Sequence, residues 1–403
     1  MKFSNRIMKV KPSPTLAVTA MAAQMKAQGI DIIGFGSGEP DFDTPKHIRE
    51  AAIRAIESGK TRYTPSGGIP ELKDAVINKF MRDNNLQYKR SEIIINCGGK
   101  HSFYNLAQVI IDEGDEVIIP APYWVSYPDM VKLAGGTPVI INTEADSGFK
   151  MTPAELESRI TPRTRAVVIN SPSNPTGAAY TADELKAFAD ILEKTDIIPI
   201  SDDIYETIVY DGFRFSNIAN VSESMKKRTI VINGVSKTYA MTGWRIGYAA
   251  GNEEIIKKMD ILQGQSTSNP TTISQWAAVE ALTGDQTVLS GMLEAFDRRR
   301  KFVIEELNTV PGMTCTMPEG AFYAFPRCSG VFRLKGWEKV SEKYNDTYKS
   351  SSLCAYLMEE ARTAVVPGIG FGNDNYFRIS FATSDENLKE GLKRIKDAIG
   401  RLC

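Results

Sequence analysis

Ala166-Val-Val-Ile-Asn170-Ser-Pro-Ser-Asn174-Pro-Thr-Gly177 runs an apolar tetrad straight into a polar, proline-broken turn. A strand that is apolar on both faces must be buried on both, which calls for a sheet covered by helices, with largely parallel strands. The pattern recurs on either side. Ile93-Ile-Ile-Asn96 leads into Cys97-Gly98-Gly99-Lys100, and Glu116-Val-Ile-Ile119 into Pro120-Ala-Pro-Tyr123-Trp124. Ile197-Ile-Pro-Ile200 leads into Ser201-Asp202-Asp203-Ile-Tyr205, and Thr229-Ile-Val-Ile232 into Asn233-Gly-Val-Ser236-Lys237. Helices fill the intervals. Thr181-Ala-Asp-Glu184 is a capping box followed by an apolar face of Leu185, Phe188, Ile191 and Leu192. Thr44-Pro45 starts another, with Ile48, Ala52 and Ile56 on its buried side and Gly59 at its end. Alternating strand and helix define an α/β protein.

Beyond about residue 285 the texture changes. A long charged helix passes through Asp297-Arg-Arg-Arg-Lys301, then short strands follow at Ala321-Phe-Tyr-Ala-Phe325 and Phe377-Arg-Ile-Ser-Phe381, and an amphipathic helix from Asp385 closes the chain. This predicts a large domain over residues 45–285 and a smaller α/β domain built from residues 1–44 and 286–403. The polar stretch Ser329 to Ser351 reads as a surface loop, and the segment after Pro14 as an amphipathic helix through Met25. A length of 403 residues accommodates two or three domains. Lys+Arg of 48 against Asp+Glu of 49 leaves a net charge of -1, which offers no global field for nucleic acid or anionic lipid. Five scattered cysteines without a Cys-x-x-Cys pair argue against a disulfide framework or metal site and for a reducing, cytoplasmic setting. No apolar run approaches the roughly 20 residues of a membrane helix.

Ligands of open parallel sheets sit at the carboxyl ends of the strands. Five consecutive strand ends here supply glycines, an aromatic, an amide, a carboxylate with a phenol, and a lysine, so together they describe one pocket. Most lysines are surface ammonium groups, but Lys237 follows Ser236 at a strand end, with Arg245 eight residues on. That is the pattern of a lysine that binds a carbonyl cofactor covalently beside a phosphate-binding arginine. The two histidines, His47 and His101, lie in no catalytic context and read as structural. Gly34-Phe-Gly36-Ser-Gly38 is followed by Glu39-Pro-Asp and no helix, so it fails as a dinucleotide loop.

Asn174-Pro-Thr-Gly177, Asp202-x-x-Tyr205, Ser236-Lys237 and Arg245, together with Ser37-Gly38-Glu39-Pro40, Arg62-Tyr63-Thr64 and the late Arg378-Ile-Ser-Phe-Ala, stand in the order and spacing of a known family. The chain resembles the class I aminotransferases among the fold-type I pyridoxal phosphate enzymes, and is most similar to the bacterial aspartate and aspartate–prephenate branch. The resemblance implies a large domain with a mostly parallel seven-stranded sheet, and it assigns roles. Lys237 would hold pyridoxal phosphate and shuttle the substrate proton, and Asp202 would pair with the pyridinium nitrogen. Tyr205 and Asn174 would bond the phenolic oxygen, and Trp124 would stack on the ring. Gly99, Lys100, Ser236 and Arg245 would cradle the phosphate. Arg378, assisted by Gly38 and Asn174, would clamp the substrate α-carboxylate. Tyr63 would reach the phosphate of a neighbouring subunit, which implies a homodimer.

For the distal carboxylate, Gly264 occupies the position where animal-type relatives carry an arginine, whereas Lys100 matches the lysine of the bacterial branch, with Ser13 and Thr15 nearby. The implied reaction is L-aspartate with 2-oxoglutarate. Prephenate or aromatic transamination, and carbon–sulfur lysis on the same scaffold, share the same residues. A ligand-sensing transcription regulator on this fold would need a DNA-binding domain, and the residues before the sheet carry no helix-turn-helix pattern or basic surplus.

Overall fold

The computed structural model describes residues 2–403. Its strands are β1 (Ile33–Gly34), β2 (Ile93–Asn96), β3 (Glu116–Ala121), β4 (Thr137–Asn142), β5 (Thr164–Asn170), β6 (Ile198–Asp202), β7 (Ile230–Gly234), β8 (Gly247–Ala250), β9 (Tyr323–Ala324), β10 (Thr363–Ala364), β11 (Val366–Pro367) and β12 (Phe377–Ser380). Seven of them form one sheet in the order β2-β8-β7-β6-β5-β3-β4. Only β8 runs against its neighbours, so the remaining strands all point their carboxyl ends to one edge. The register places Asn170 beside Asp202, and Asp202 beside Ile232, so the functional strand ends are level.

Two-faced burial explains why these runs became strands. Successive residues feed different cores. Ile93 and Ile95 pack with the helices Lys46–Glu57, Pro70–Asn84 and Thr272–Thr283, while Ile94 joins the helix Gly99–Ile110 on the other face. Each fully buried isoleucine contributes about 1.5–3 kcal/mol. The Thr181 capping box is present, with both reciprocal bonds to Glu184.

A three-stranded sheet, β11-β12-β9, and the parallel pair β1-β10 lie outside the large sheet. β1, β9 and β12 share a core with the helices Val288–Leu307, Lys349–Glu360 and Asp385–Gly400, while Val366 of β11 and Ala364 of β10 join smaller clusters. The helix Pro14–Ala27 leans Val18 and Met25 on Ile32, Met358 and Ala364, and leaves Leu16 and Met21 exposed.

Several sequence expectations need correcting. Ser329 to Ser351 is not a loop: the helix Trp337–Tyr344 lies within it, because Trp337 and Val340, three apart, are buried anchors inside a polar stretch. Ile56 is exposed. Eight residues beyond Ile48 it has turned about 80° from it, while Ala55, about 20° away, takes the buried place. The late strands are shorter than their apolar runs, and β4 and β8 were not among the strands read from the sequence.

Candidate active site

β6 ends at Asp202, which is buried. The Tyr127 hydroxyl donates to its Oδ2 at 2.5 Å and the Ile204 N–H to its Oδ1 at 3.3 Å. These bonds favour the anion, yet burial outweighs them and raises the carboxyl to about 6. Asn170, one strand over, holds the turn: its Nδ2 donates to the Asp202 carbonyl at 3.0 Å, and its Oδ1 accepts from the Asn174 N–H at 3.0 Å. Tyr205 is buried, with its hydroxyl 2.7 Å from that of Tyr323.

Lys237, in the turn after β7, donates from Nζ to the Gly38 carbonyl. Burial, reinforced by the nearby Arg378 cation, lowers its ammonium to about 8. Arg378, on β12, is buried. Its two terminal nitrogens donate to Asn174 Oδ1 at 2.9 Å and the Gly36 carbonyl at 2.8 Å. Its buried Nε has no hydrogen-bond partner among the described residues. A buried guanidinium N–H without a partner is costly.

Across the cavity the helix Gly99–Ile110 begins, and the first N–H groups of a helix have no partner within it. Gly98 precedes it at φ 89°, and a side chain there would run into the Arg245 guanidinium. Arg245 donates to the Thr242 carbonyl at 2.7 Å and the Cys97 carbonyl at 3.2 Å, so it is fixed over the helix start. Lys100 stands at the mouth with Nζ 5.1 Å from the Trp124 ring centroid, its ammonium pKa lowered by partial desolvation and by Arg245.

These groups surround one cavity of about 240 Å³. Every site residue named from the sequence lines it except Tyr63, which is 90% exposed on the chain's surface, and Ser13 and Thr15 line it too. Asp203 points away, buried against Ser201 at 2.7 Å and Asn217. His101 accepts the Cys97 N–H at 3.3 Å, a structural bond. Sequence reasoning missed Tyr127 and Tyr323. Tyr127 could have been suspected from its place three residues past Trp124, whereas Tyr323 sits in a run that reads as apolar strand.

With a lysine, a carboxylate and two arginines around one cavity at the carboxyl edge of a parallel sheet, residues 30–395 match class I and II aminotransferases, and the chain belongs to that family. It is an aminotransferase, moving an amino group between an amino acid and a 2-oxo acid. Its relatives narrow the class. It is 52% identical over 396 residues to an aspartate/prephenate aminotransferase of Nitrosomonas europaea, covering 98% of this chain and 99% of that one. It is 49% identical to the aspartate aminotransferase of Geobacillus stearothermophilus, covering 98% of each. Among solved structures, the aspartate aminotransferase of Rhizobium meliloti superposes with a TM-score of 0.94 at 47% identity over 100% of both chains. That of Thermus thermophilus with maleate gives 0.91 at 42% identity, over 99% of this chain and 100% of that one. Among the described residues no helix is long and apolar enough to cross a membrane.

Proposed function

We propose that this aminotransferase uses pyridoxal phosphate held covalently by Lys237 and exchanges amino groups between L-aspartate and 2-oxoglutarate. The observation that carries the reading is the convergence of Lys237, Asp202 and Arg378 on one cavity whose opposite wall is a helix start beneath Arg245. The groups present fit the cofactor. The amides of Gly99 and Lys100, with Ser236 and Arg245, form an anion cradle that a Cβ at Gly98 would disrupt. Asp202 suits a pyridinium nitrogen, Tyr205 and Asn174 a phenolic oxygen, and Trp124 a ring face. When bound, pyridoxal phosphate supplies the electron sink that makes the α-proton of an amino acid removable. Asp202 would keep that sink effective, since its negative charge would favour a protonated ring nitrogen. Once the substrate amine has displaced it from the cofactor, Lys237 Nζ would take the proton from the substrate α-carbon and hand it to the cofactor, and its lowered pKa keeps a usable fraction neutral near pH 7.

Arg378, a buried cation lining the cavity, receives the α-carboxylate, Gly38 assisting. Lys100 and the unpartnered Thr15 hydroxyl offer a second polar end. A dicarboxylate suits both ends, consistent with the names of the relatives and with the maleate in the Thermus thermophilus structure. The same reading includes a homodimer, a cytoplasmic setting for the five free cysteines, and two bodies divided at 45–285 against 1–44 with 286–403. The segregation of the seven-stranded sheet from β9, β11 and β12 supports that division.

The test is a half-reaction screen that follows the cofactor's visible band with single amino acids, and includes prephenate as acceptor because the Nitrosomonas europaea relative bears its name. Removing one partner of a charge pair that bound substrate shields from water costs on the order of 2–5 kcal/mol. Lys100→Ala is therefore expected to lower kcat/KM for aspartate by roughly 30-fold or more while sparing alanine. Arg378→Ala is expected to damage both. Equal losses for aspartate and alanine in Lys100→Ala would assign Lys100 to the phosphate and remove the case for aspartate.

A further inference from the structure

Tyr323 lies on β9 with no exposed surface, register-paired with Ser380 of β12, two residues from Arg378. Its hydroxyl is 2.7 Å from the Tyr205 hydroxyl, and the Arg378 guanidinium sits 4.5 Å from its ring centroid. Gly38 closes the third side, since a Cβ there would come within 3.1 Å of the hydroxyl. The bond crosses between sheets, because Tyr205 follows β6 while Tyr323 belongs to the three-stranded sheet. Packing alone does not explain the hydroxyl. Phe322 and Phe296 are close neighbours in the same core, and a phenylalanine would fill the site without a polar atom to satisfy.

We propose that Tyr323 is a positioning residue that donates its hydrogen to Tyr205, fixes the direction of the Tyr205 hydrogen toward the cofactor's phenolic oxygen, and seats Arg378 on its ring. The inference rests on the reading of Tyr205 given above. Each phenol has one hydrogen. If Tyr205 gives its own to a ligand oxygen, the bond between the two phenols must be donated by Tyr323. Both rings are buried, so the pair is shielded from solvent, and a donor that itself accepts a hydrogen bond is polarised and strengthened. Hydrogen bonds to a negatively charged oxygen favour its less protonated state. Tyr323 thus lowers the proton affinity at the cofactor end while its π face holds the cation of the substrate end.

The experiment is a pH titration of the holoenzyme's visible absorption band, which needs no turnover, on Tyr323→Phe, Tyr205→Phe and the double variant. Tyr323→Phe is expected to move the midpoint up by roughly half a pH unit. Tyr205→Phe should move it further in the same direction, and Tyr323→Phe should add nothing on top of it. An unchanged midpoint in Tyr323→Phe beside a shifted Tyr205→Phe overturns the inference and leaves the Tyr205 reading intact. No shift in Tyr205→Phe overturns both. Additive shifts in the double variant would show that Tyr323 does not act through Tyr205. The seat for Arg378 is read separately. Tyr323→Phe should leave the KM for aspartate within about twofold, while Tyr323→Leu, which lacks a π face, should raise it roughly fivefold or more. Equal KM values for these two variants would overturn that part.

Discussion

Asp202 is the residue where function and stability pull apart. Its folded pKa of about 6 lies above the ordinary 3.8, chiefly through burial. Between those two values the folded protein keeps a proton that the unfolded chain has lost, so this group's contribution to stability falls as pH rises from about 4 to about 6. Above that window the anion is a standing cost, at most about 3 kcal/mol for such a difference in pKa. Asp202→Asn removes the charge and keeps the shape. The cofactor-free variant is expected to melt higher than its parent at pH 7, with the gain gone near pH 4, while the cofactor-loaded variant loses transamination by several orders of magnitude. Calorimetry at the two pH values checks this, and a gain that persists at pH 4 would mean that ionisation is not the cause. Asp203 is the contrast. It is also buried, its carboxyl is raised well above the carboxylate range by burial and by Glu206, and it faces Ser201 and Asn217 and not the cavity.

Among elements, the start of the helix Gly99–Ile110 depends on two glycines whose missing side chains do the work. Gly98 adopts φ 89°, a region that side chains avoid, and a Cβ there meets Arg245, while a Cβ on Gly247 of β8 would meet the backbone of Gly98 and Gly99. Gly98→Ala is therefore expected to displace Arg245 and weaken pyridoxal phosphate binding by roughly 10- to 100-fold, as measured by fluorescence titration of the cofactor-free protein. A Kd within about twofold of the parent would show that the cradle tolerates the methyl group. The same elements show what a sequence can and cannot reveal. β2, β5, β6 and β7 were legible because burial on both faces writes an apolar run, and the polar residue after each run marked the strand end. β4 is an edge strand with only Ile141 deeply buried, and β8 is Gly-Tyr-Ala-Ala, chosen for close backbone approach and not for β-propensity. Asp202 and Lys237 were legible because each sits at or just past a strand end, and Arg245 because it is a second cation eight residues beyond Lys237. Tyr127 and Tyr323 reach the cavity from within a helix and a strand, where an aromatic reads as core.

At the scale of the molecule, one chain leaves Tyr63 unexplained. Its loop is pinned, since Thr272 Oγ1 donates to the Arg62 carbonyl at 2.7 Å and Gln275 Nε2 to Thr64 Oγ1 at 3.2 Å, yet Tyr63 itself is 90% exposed. Ile53, Ile56 and Ile261 are also more than half exposed. The proposed homodimer would give this exposed aromatic on a fixed loop a partner surface to meet. If Tyr63 serves the partner's phosphate, active sites are shared and defects can complement. In a heterodimer of a Tyr63→Phe chain and a Lys237→Ala chain, one site then carries both changes and the other carries neither. Co-expression with two affinity tags isolates that heterodimer. Its expected activity is about half that of the parent dimer, one intact site of two, and well above either homodimeric variant. A heterodimer no more active than half the Tyr63→Phe homodimer would place Tyr63 at its own chain's site or at none, and the cavity bounded by Lys237, Asp202 and Arg378 would then be complete within a single chain.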